Sequence, residues 1–273
     1  MGCRDVLCTL IGVLCIFYLC VPIREAEAGD YATLRAENAG RIAHAQRFIT
    51  TVKPAVIFTF GGLSKQEPLE EILSEMQRQG MRGTFFVTER ELQRNGDNIA
   101  RIVAAGQDLG IGLRPEEGAD FDAYCAQIER IQTELRTRYG ADTNVVRQMT
   151  GAEEDVIGEA VSAMGCILVG QSVNIVQSKH KDAHTAEELM PQLFGHWTTS
   201  LNRGGIVYLH TDFYTRTELA VEMMRAVVAA KVDNIAYSTP CAGREQEAAD
   251  RRDSRRCRMF CGIRHHSMSI PWI

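Results

Sequence analysis

From Val56 onwards, short apolar runs alternate with longer stretches whose apolar residues recur every three or four positions. The first run, Val56–Phe60, passes straight into Gly61-Gly62, the pattern of a buried parallel strand ending at a tight turn. Further strands are predicted at Gly83–Thr88, Asp108–Gly112, Asn144–Arg147, Cys166–Val173, Gly205–His210 and Asn234–Tyr237. Helical periodicity lies between them, at Pro68–Gln79, Asn98–Ala105, Phe121–Tyr139, Glu153–Met164, Ala186–Leu201 and Thr217–Ala230. Gly80, Gly106, Gly140 and Gly165 supply the helix stops, and Pro191 and Gly195 bend or divide the fifth helix. Strand-then-helix units in one run argue for a parallel sheet. An irregular closed (β/α) barrel fits this α/β pattern better than an open sheet, and no glycine-rich nucleotide fingerprint follows the first strand.

The flanks read differently. Tyr31–Lys53 is polar and mostly helical in pattern, with Leu34, Ile42, Ala45, Phe48 and Ile49 as a thin apolar stripe. Val6–Val21 is an apolar run; as a helix it would span about 24 Å, short of a hydrocarbon core of about 30 Å. Pro22 and the small-x-small triplet Ala26-Glu27-Ala28 follow it, so residues 1–28 are expected to be a signal peptide or membrane anchor. The expected organisation is then a helical lead-in at 29–53, the barrel domain at 54–240, and an Arg-rich, disordered tail at 241–273. Cys257, Cys261, His265 and His266 have a spacing open to a zinc reading, but one such cluster is weak evidence. Cys125 and Cys166 fall within a helix and a strand and read as buried thiols, not as a disulfide framework.

Composition narrows the partners. The chain has 273 residues, and about 200 remain after the flanks, enough for one α/β domain with a full core. A net charge of -5 argues against nucleic acid as a partner.

The punctuation of the strands carries a resemblance. Thr59-Phe60-Gly61-Gly62, Gly83-Thr84-Phe85-Phe86-Val87, Gly106-Gln107-Asp108-Leu109-Gly110, Arg147 with Gly151, Gly165 to Asn174, and Gly205-Ile206-Val207-Tyr208-Leu209-His210 follow one another in a characteristic order. In order and spacing they resemble the NodB-homology polysaccharide deacetylases over about Val56 to Tyr237. The resemblance implies a distorted (β/α)7 barrel. It also implies removal of acetyl groups from N-acetylated sugars of peptidoglycan, chitin or related polymers, with a divalent metal, often zinc.

Amide hydrolysis needs an activated water, a Lewis acid on the carbonyl and an acid for the leaving amine. In the family, an Asp-Asp pair after Thr-Phe and two histidines four residues apart supply the base and the metal site. An arginine orients the base, and a late Leu-His supplies the acid. On this sequence the Asp-Asp positions are Gly61 and Gly62, and the histidine positions are Gly112 and Glu116. Arg147, Gly151 and His210 are retained, with Gln148 where a proline is usual. Gln171 and Asn174 stand where the family often has Trp and Asp, and Thr211 follows His210. General-base help is worth about 10²–10⁴-fold, and metal polarisation adds several kcal/mol. Losing both removes most of the enhancement, so the resemblance implies a catalytically impaired relative.

The expected site is therefore Arg147 and His210 as retained catalytic positions, with Phe213 and Tyr214 as sugar-stacking candidates. Trp197 and Tyr208 are further stacking candidates, with barrel packing as the plainer reading. No metal or other cofactor is expected. Glu116 and His210 are weak metal candidates, with Asp108, Glu117 and Asp212 nearby in the motifs, should the site be rebuilt for zinc or another divalent ion. His180 and His184 read as a polar loop, and His196 as helix packing. The function expected is an exported protein that binds cell-envelope glycan or a surface protein at the former cleft, on the membrane if residues 1–28 stay attached. The alternative is an active carbohydrate deacetylase with a rebuilt metal site.

Overall fold

The computed structural model describes residues 31–49, 55–174, 204–213, 217–237 and 263–265. Strands are β1 (Ala55–Gly61), β2 (Gly83–Val87), β3 (Asp108–Leu113), β4 (Val145–Gln148), β5 (Ile167–Leu168), β6 (Val173–Asn174), β7 (Gly205–His210), β8 (Asp233–Tyr237) and β9 (Ile263–His265). Helices are α1 (Tyr31–Glu37), α2 (Gln66–Gln79), α3 (Glu89–Arg94), α4 (Gly96–Ala104), α5 (Phe121–Tyr139), α6 (Asp155–Ala163) and α7 (Thr217–Ala229).

β1 is the hub. All seven of its residues are buried, as the unbroken apolar run requires. β7 pairs with one edge from Val56↔Gly205 to Gly61↔His210. The other edge is shared: β8 takes Ala55–Ile57, and β2 takes Phe58–Phe60. The parallel path runs β5-β4-β3-β2-β1-β7-β6, and β9 joins β8 antiparallel. The rings of Phe60 and Phe85 stack at 4.4 Å inside it; a fully buried side chain of this size contributes about 1.5–3 kcal/mol.

The path curls almost into a ring. Its two end strands, β5 and β6, are separated by only Val169–Ser172. The single strand expected at Cys166–Val173 is thus broken, one half pairing with β4 and the other with β7. The lead-in closes the gap. Gln46 N–H donates to the Leu168 carbonyl, Gly170 N–H donates to Gln46, and Ile49 N–H donates to Gly204. This corrects the expected lead-in helix, which is confined to α1; residues 41–49 are non-helical, with isolated bridges at Gln46 and Phe48. Their polar backbone groups find partners on β5 and before β7, which outweighs a thin helical stripe.

Helix ends follow the sequence closely. Gly80 and Gly140 cap α2 and α5 in the left-handed conformation, at φ 64° each. α3 was not expected. It starts from a capping box in which Thr88 and Glu91 satisfy each other's backbone N–H groups, a signal present as Thr88-x-x-Glu91. Cys125 and Cys166 are buried free thiols, each pushed up to about 12 by burial. Among the described residues, no helix is long and apolar enough to cross a membrane. Val6–Val21, the fifth helix at Ala186–Leu201 and most of the tail lie outside the described residues.

Candidate functional site

The C-terminal ends of β1, β3, β4 and β7 converge on one place. Parallel register sets Gly61 beside His210 and Gly112 beside Arg147. These are the strand ends at which parallel α/β barrels hold their chemistry.

What fills that place is not a carboxylate. A Cβ added to Gly61 would lie 2.5 Å from Met149 Cε and 2.5 Å from Tyr208 Oη. A Cβ on Gly62 would lie 2.9 Å from His210 Nε2 and closer still to Nδ1 and Cε1. Gly62 also has φ +71°, which any residue with a Cβ adopts only under strain. A Cβ on Gly112 would meet Thr88 Cγ2 at 3.0 Å and Met149 Sδ at 3.1 Å. Met149, Tyr208 and His210 therefore occupy the space into which side chains at 61, 62 and 112 would project.

Arg147 sits at the centre, 3% exposed. Its Nη1 donates to the Gly170 carbonyl at 3.0 Å, and its Nη2 donates to Gln171 Oε1. Its guanidinium carbon lies 3.7 Å from the Tyr208 ring centroid. That cation–π contact is worth about 2 kcal/mol when desolvated. No ion pair to Arg147 exists among the described residues, and its Nε has no hydrogen-bond partner. Burial pulls the guanidinium down to about 10, opposed by Tyr208, so it stays charged at neutral pH. Burial likewise pushes the Tyr208 hydroxyl up to about 12, opposed by Arg147.

His210 is half-buried, edge-on to Tyr208 at 6.3 Å. Burial lowers its pKa, against the opposing pull of Asp212 and Glu91. A depressed pKa leaves the imidazole neutral at pH 7, a poor state for a general acid.

The turn after β1 is locked by groups that a rebuilt metal site would need free. Asp212 Oδ1 accepts from the Ser64 and Lys65 N–H groups at 2.9 and 3.1 Å. Glu91 Oε1 accepts from Leu63 N–H at 2.8 Å, and Thr211 Oγ1 donates to the Gly62 carbonyl. Asp108 is at the opposite end of the sheet, at the start of β3, where Arg82 donates to it. Glu116 and Glu117 are exposed. Glu116 lines a cavity of about 170 Å³ with Glu89, Tyr124, Gln127 and Arg130.

Sequence comparison adds the family. The polysaccharide deacetylase family model matches residues 49–169. By that match, residues 49–169 are similar to a polysaccharide deacetylase domain. Similar solved structures include a CE4 family pseudoenzyme from Bacillus anthracis, at 18% identity and TM-score 0.57, covering 67% of this chain and 63% of that one. A mutant of that pseudoenzyme described as having restored enzymatic activity is similar at 18% identity and TM-score 0.56, over 66% and 64% of the two chains. The Bc1960 peptidoglycan N-acetylglucosamine deacetylase is similar at 17% identity and TM-score 0.60, over 74% and 92%. The aligned part thus spans under two thirds of the pseudoenzyme's length. No curated relative matches the chain. These similarities establish the deacetylase fold with its curled sheet, as the strand motifs implied.

The deacetylase family implies a divalent metal, and the residues here do not fit one. Three of the positions that would carry the base and ligands are glycines, and their outward space holds Met149 and Tyr208 at Gly61, His210 at Gly62, and Thr88 and Met149 at Gly112. No group of three His, Cys, Asp or Glu side chains suited to a metal ion exists among the described residues. Glu116 and His210 remain a single exposed carboxylate and a single half-buried imidazole.

Of the sequence-predicted residues, the fold brings Arg147 and His210 together around Tyr208. Tyr208 itself is only 4% exposed, so it packs under Arg147 and is closed to sugar stacking. Phe213 lies in a 3-10 turn after β7, with its side chain outside the described residues. Tyr214, Trp197, His196, His180 and His184 lie outside them, as do Cys257, Cys261 and His266. Met149 was missed entirely. It follows Arg147-Gln148 as an ordinary apolar residue, and nothing in its sequence context signals its place between Gly61 and Gly112.

Proposed function

We propose that this is an exported, non-catalytic polysaccharide-deacetylase-like protein that binds cell-envelope glycan, or a surface protein, at the former catalytic cleft. One observation carries the reading. Gly61, Gly62 and Gly112 lack the groups that would activate water and hold a metal, and Met149, Tyr208 and His210 take up their space. A site merely stripped of side chains would leave room for them; this one is repacked. Arg147 and His210 persist at the strand ends, one stacked on a tyrosine and the other held neutral by burial. Neither supplies an activated water. Removing base and metal together forfeits at least the 10²–10⁴-fold of general-base help. A CE4 family pseudoenzyme from Bacillus anthracis with a similar fold supports the non-catalytic part of this reading. Export rests on the apolar run Val6–Val21.

The test uses the purified full-length chain with added zinc or cobalt and N-acetylglucosamine oligomers. The expected result is no acetate release above the buffer rate, with oligomer binding detectable by calorimetry. Acetate release at enzyme-like rates would sink the reading and favour an active hydrolase with a rebuilt metal site. Absence of both release and binding would leave a protein-binding role. The substitutions Gly61→Asp, Gly62→Asp and Gly112→His alone should not create activity, because Met149 and Tyr208 still fill the space.

A further inference from the structure

Beside Arg147 the fold leaves a cavity of about 460 Å³. Its wall includes Arg47 on the lead-in, Met149–Gly151 after β4, Gly170–Ser172 between β5 and β6, and Tyr208. Two observations give it a charge preference. Arg147 is a buried cation whose described partners are all neutral: a carbonyl, an amide oxygen and a ring face. Buried charges are ordinarily paired. Two buried donors here also lack acceptors, Arg147 Nε and Tyr208 Oη. The one acid in the wall, Glu153, is engaged elsewhere: it accepts from Ala45 N–H at 2.9 Å and faces His44 at 3.5 Å. Arg47 adds a second, exposed cation at the cavity's edge.

We propose that this cavity is a carboxylate-binding site, with the Arg147 guanidinium as the anchor and the Tyr208 hydroxyl as a second donor. The chemistry favours a carboxylate over a tetrahedral anion. A guanidinium pairs a planar carboxylate side-on, and with Nη1 and Nη2 partly engaged it has little left for three or four oxygens. The space holds more than a small free acid, so the carboxylate of an acidic sugar fits as well as acetate does. The site lies within the former cleft, so the proposal deepens the glycan reading, and neutral oligomers and acidic sugars test the two apart.

The test titrates the full-length chain, at fixed ionic strength, with glucuronate, acetate, glucose and sulfate, read by calorimetry. Glucuronate should bind and glucose should not. Arg147→Met should weaken glucuronate about 10–100-fold, the loss of one charge-assisted pair. Tyr208→Phe keeps the ring under the guanidinium and should weaken it about 3–10-fold, the loss of one hydrogen bond. Circular dichroism checks that each variant is folded, and Tyr208→Phe carries the test if Arg147→Met is not. Glucuronate tighter than acetate assigns the site to acidic sugars; equal affinity assigns it to small free carboxylates; both support the proposal. Equal binding of glucose and glucuronate, sulfate binding as tightly as either acid, or unchanged affinity in a folded Arg147→Met would overturn it. Failure of neutral oligomers to bind while glucuronate binds would count against the glycan reading alone.

Discussion

Glu75 and Arg147 are both almost wholly buried, 1% and 3% exposed, and their surroundings are opposite. Glu75 lies on α2, where Arg225 of α7 donates to both its oxygens at 3.0 Å, Gln79 donates at 2.8 Å, and Arg78 adds a second cation. The Arg225 hydrogen bonds, reinforced by Gln79 and Arg78, hold its carboxyl down at about 2 against the upward push of burial. Arg147, at the strand ends, has a carbonyl, an amide and a ring. In the helical shell, a buried acid is met by two exposed arginines and ties two helices together. At the strand ends, a buried cation is met by neutral groups alone among the described residues. The difference separates a helical shell, where a buried acid is met by cations, from a strand end where a buried cation is met by neutral groups.

The sharpest way to break this comparison is to return acids to the strand end. Gly61→Asp with Gly62→Asp should destabilise strongly. Overpacking costs about 1–3 kcal/mol per site, and a non-glycine residue at positive φ adds about 1–2 kcal/mol. A combined loss of about 3–8 kcal/mol follows, read as the urea midpoint against wild type. Adding Met149→Ala to Gly61→Asp should recover part of the loss, because it opens the space at Met149 Cε. A double aspartate variant as stable as wild type would show that the strand end is open rather than repacked.

That repacking marks the limit of what the sequence discloses. Gly80 and Gly140 announce the ends of α2 and α5, and Val56–Phe60 announces β1, because caps and apolar runs are local signals. The missing acids are equally visible, since a glycine pair at a strand end is read one residue at a time. Residues 41–49 were misread because their partners, Leu168, Gly170 and Gly204, are more than a hundred residues away. The break between β5 and β6 has the same origin: only the closure of the sheet decides which neighbour each half joins. Met149 and Tyr208 reach Gly61 only through the fold, and position in the chain does not reveal them. Asp212 looked like a candidate ligand because it follows His210, whereas the turn after β1 uses it to satisfy two backbone donors.

A second, smaller effect concerns the compensated charge. Glu75→Gln keeps the shape but removes the anion that two arginines face. Hydrogen bonds to charged groups are worth about 1.5–3 kcal/mol, and the exposure of both arginines places the loss at the lower end. The pH dependence has a definite sign. The folded pKa of Glu75 is below its unfolded value of 4.5, so its contribution is full above pH 4.5 and is lost as pH falls toward 2. His210 acts in the same direction at higher pH. Its folded pKa lies below 6.5, so the unfolded chain takes up protons first and stability declines as pH falls below 6.5. Thermal melts from pH 7 to pH 3 should show both declines in wild type, and Glu75→Gln should lose only the more acidic one. A variant that still declines in full between pH 4.5 and 3 would show that Glu75 is not a main source of acid sensitivity.

The smallest effect is the most telling. Removing one partner of a buried ion pair ordinarily costs about 3–5 kcal/mol, because the other charge is left stranded. Arg147→Met strands no charge, since no carboxylate answers Arg147 among the described residues. It gives up one cation–π contact and two hydrogen bonds to neutral acceptors, and it relieves the desolvation that holds the guanidinium down at about 10. Replacing a buried charge with an apolar chain of similar volume is often neutral or stabilising. The expected change is therefore within about 1 kcal/mol of zero, set by opposing terms of about 1–2 kcal/mol each. Urea unfolding at pH 7 measures it. A loss of 3 kcal/mol or more would mean that Arg147 does face a buried anion, and that the strand end is compensated in the same way as the helical shell.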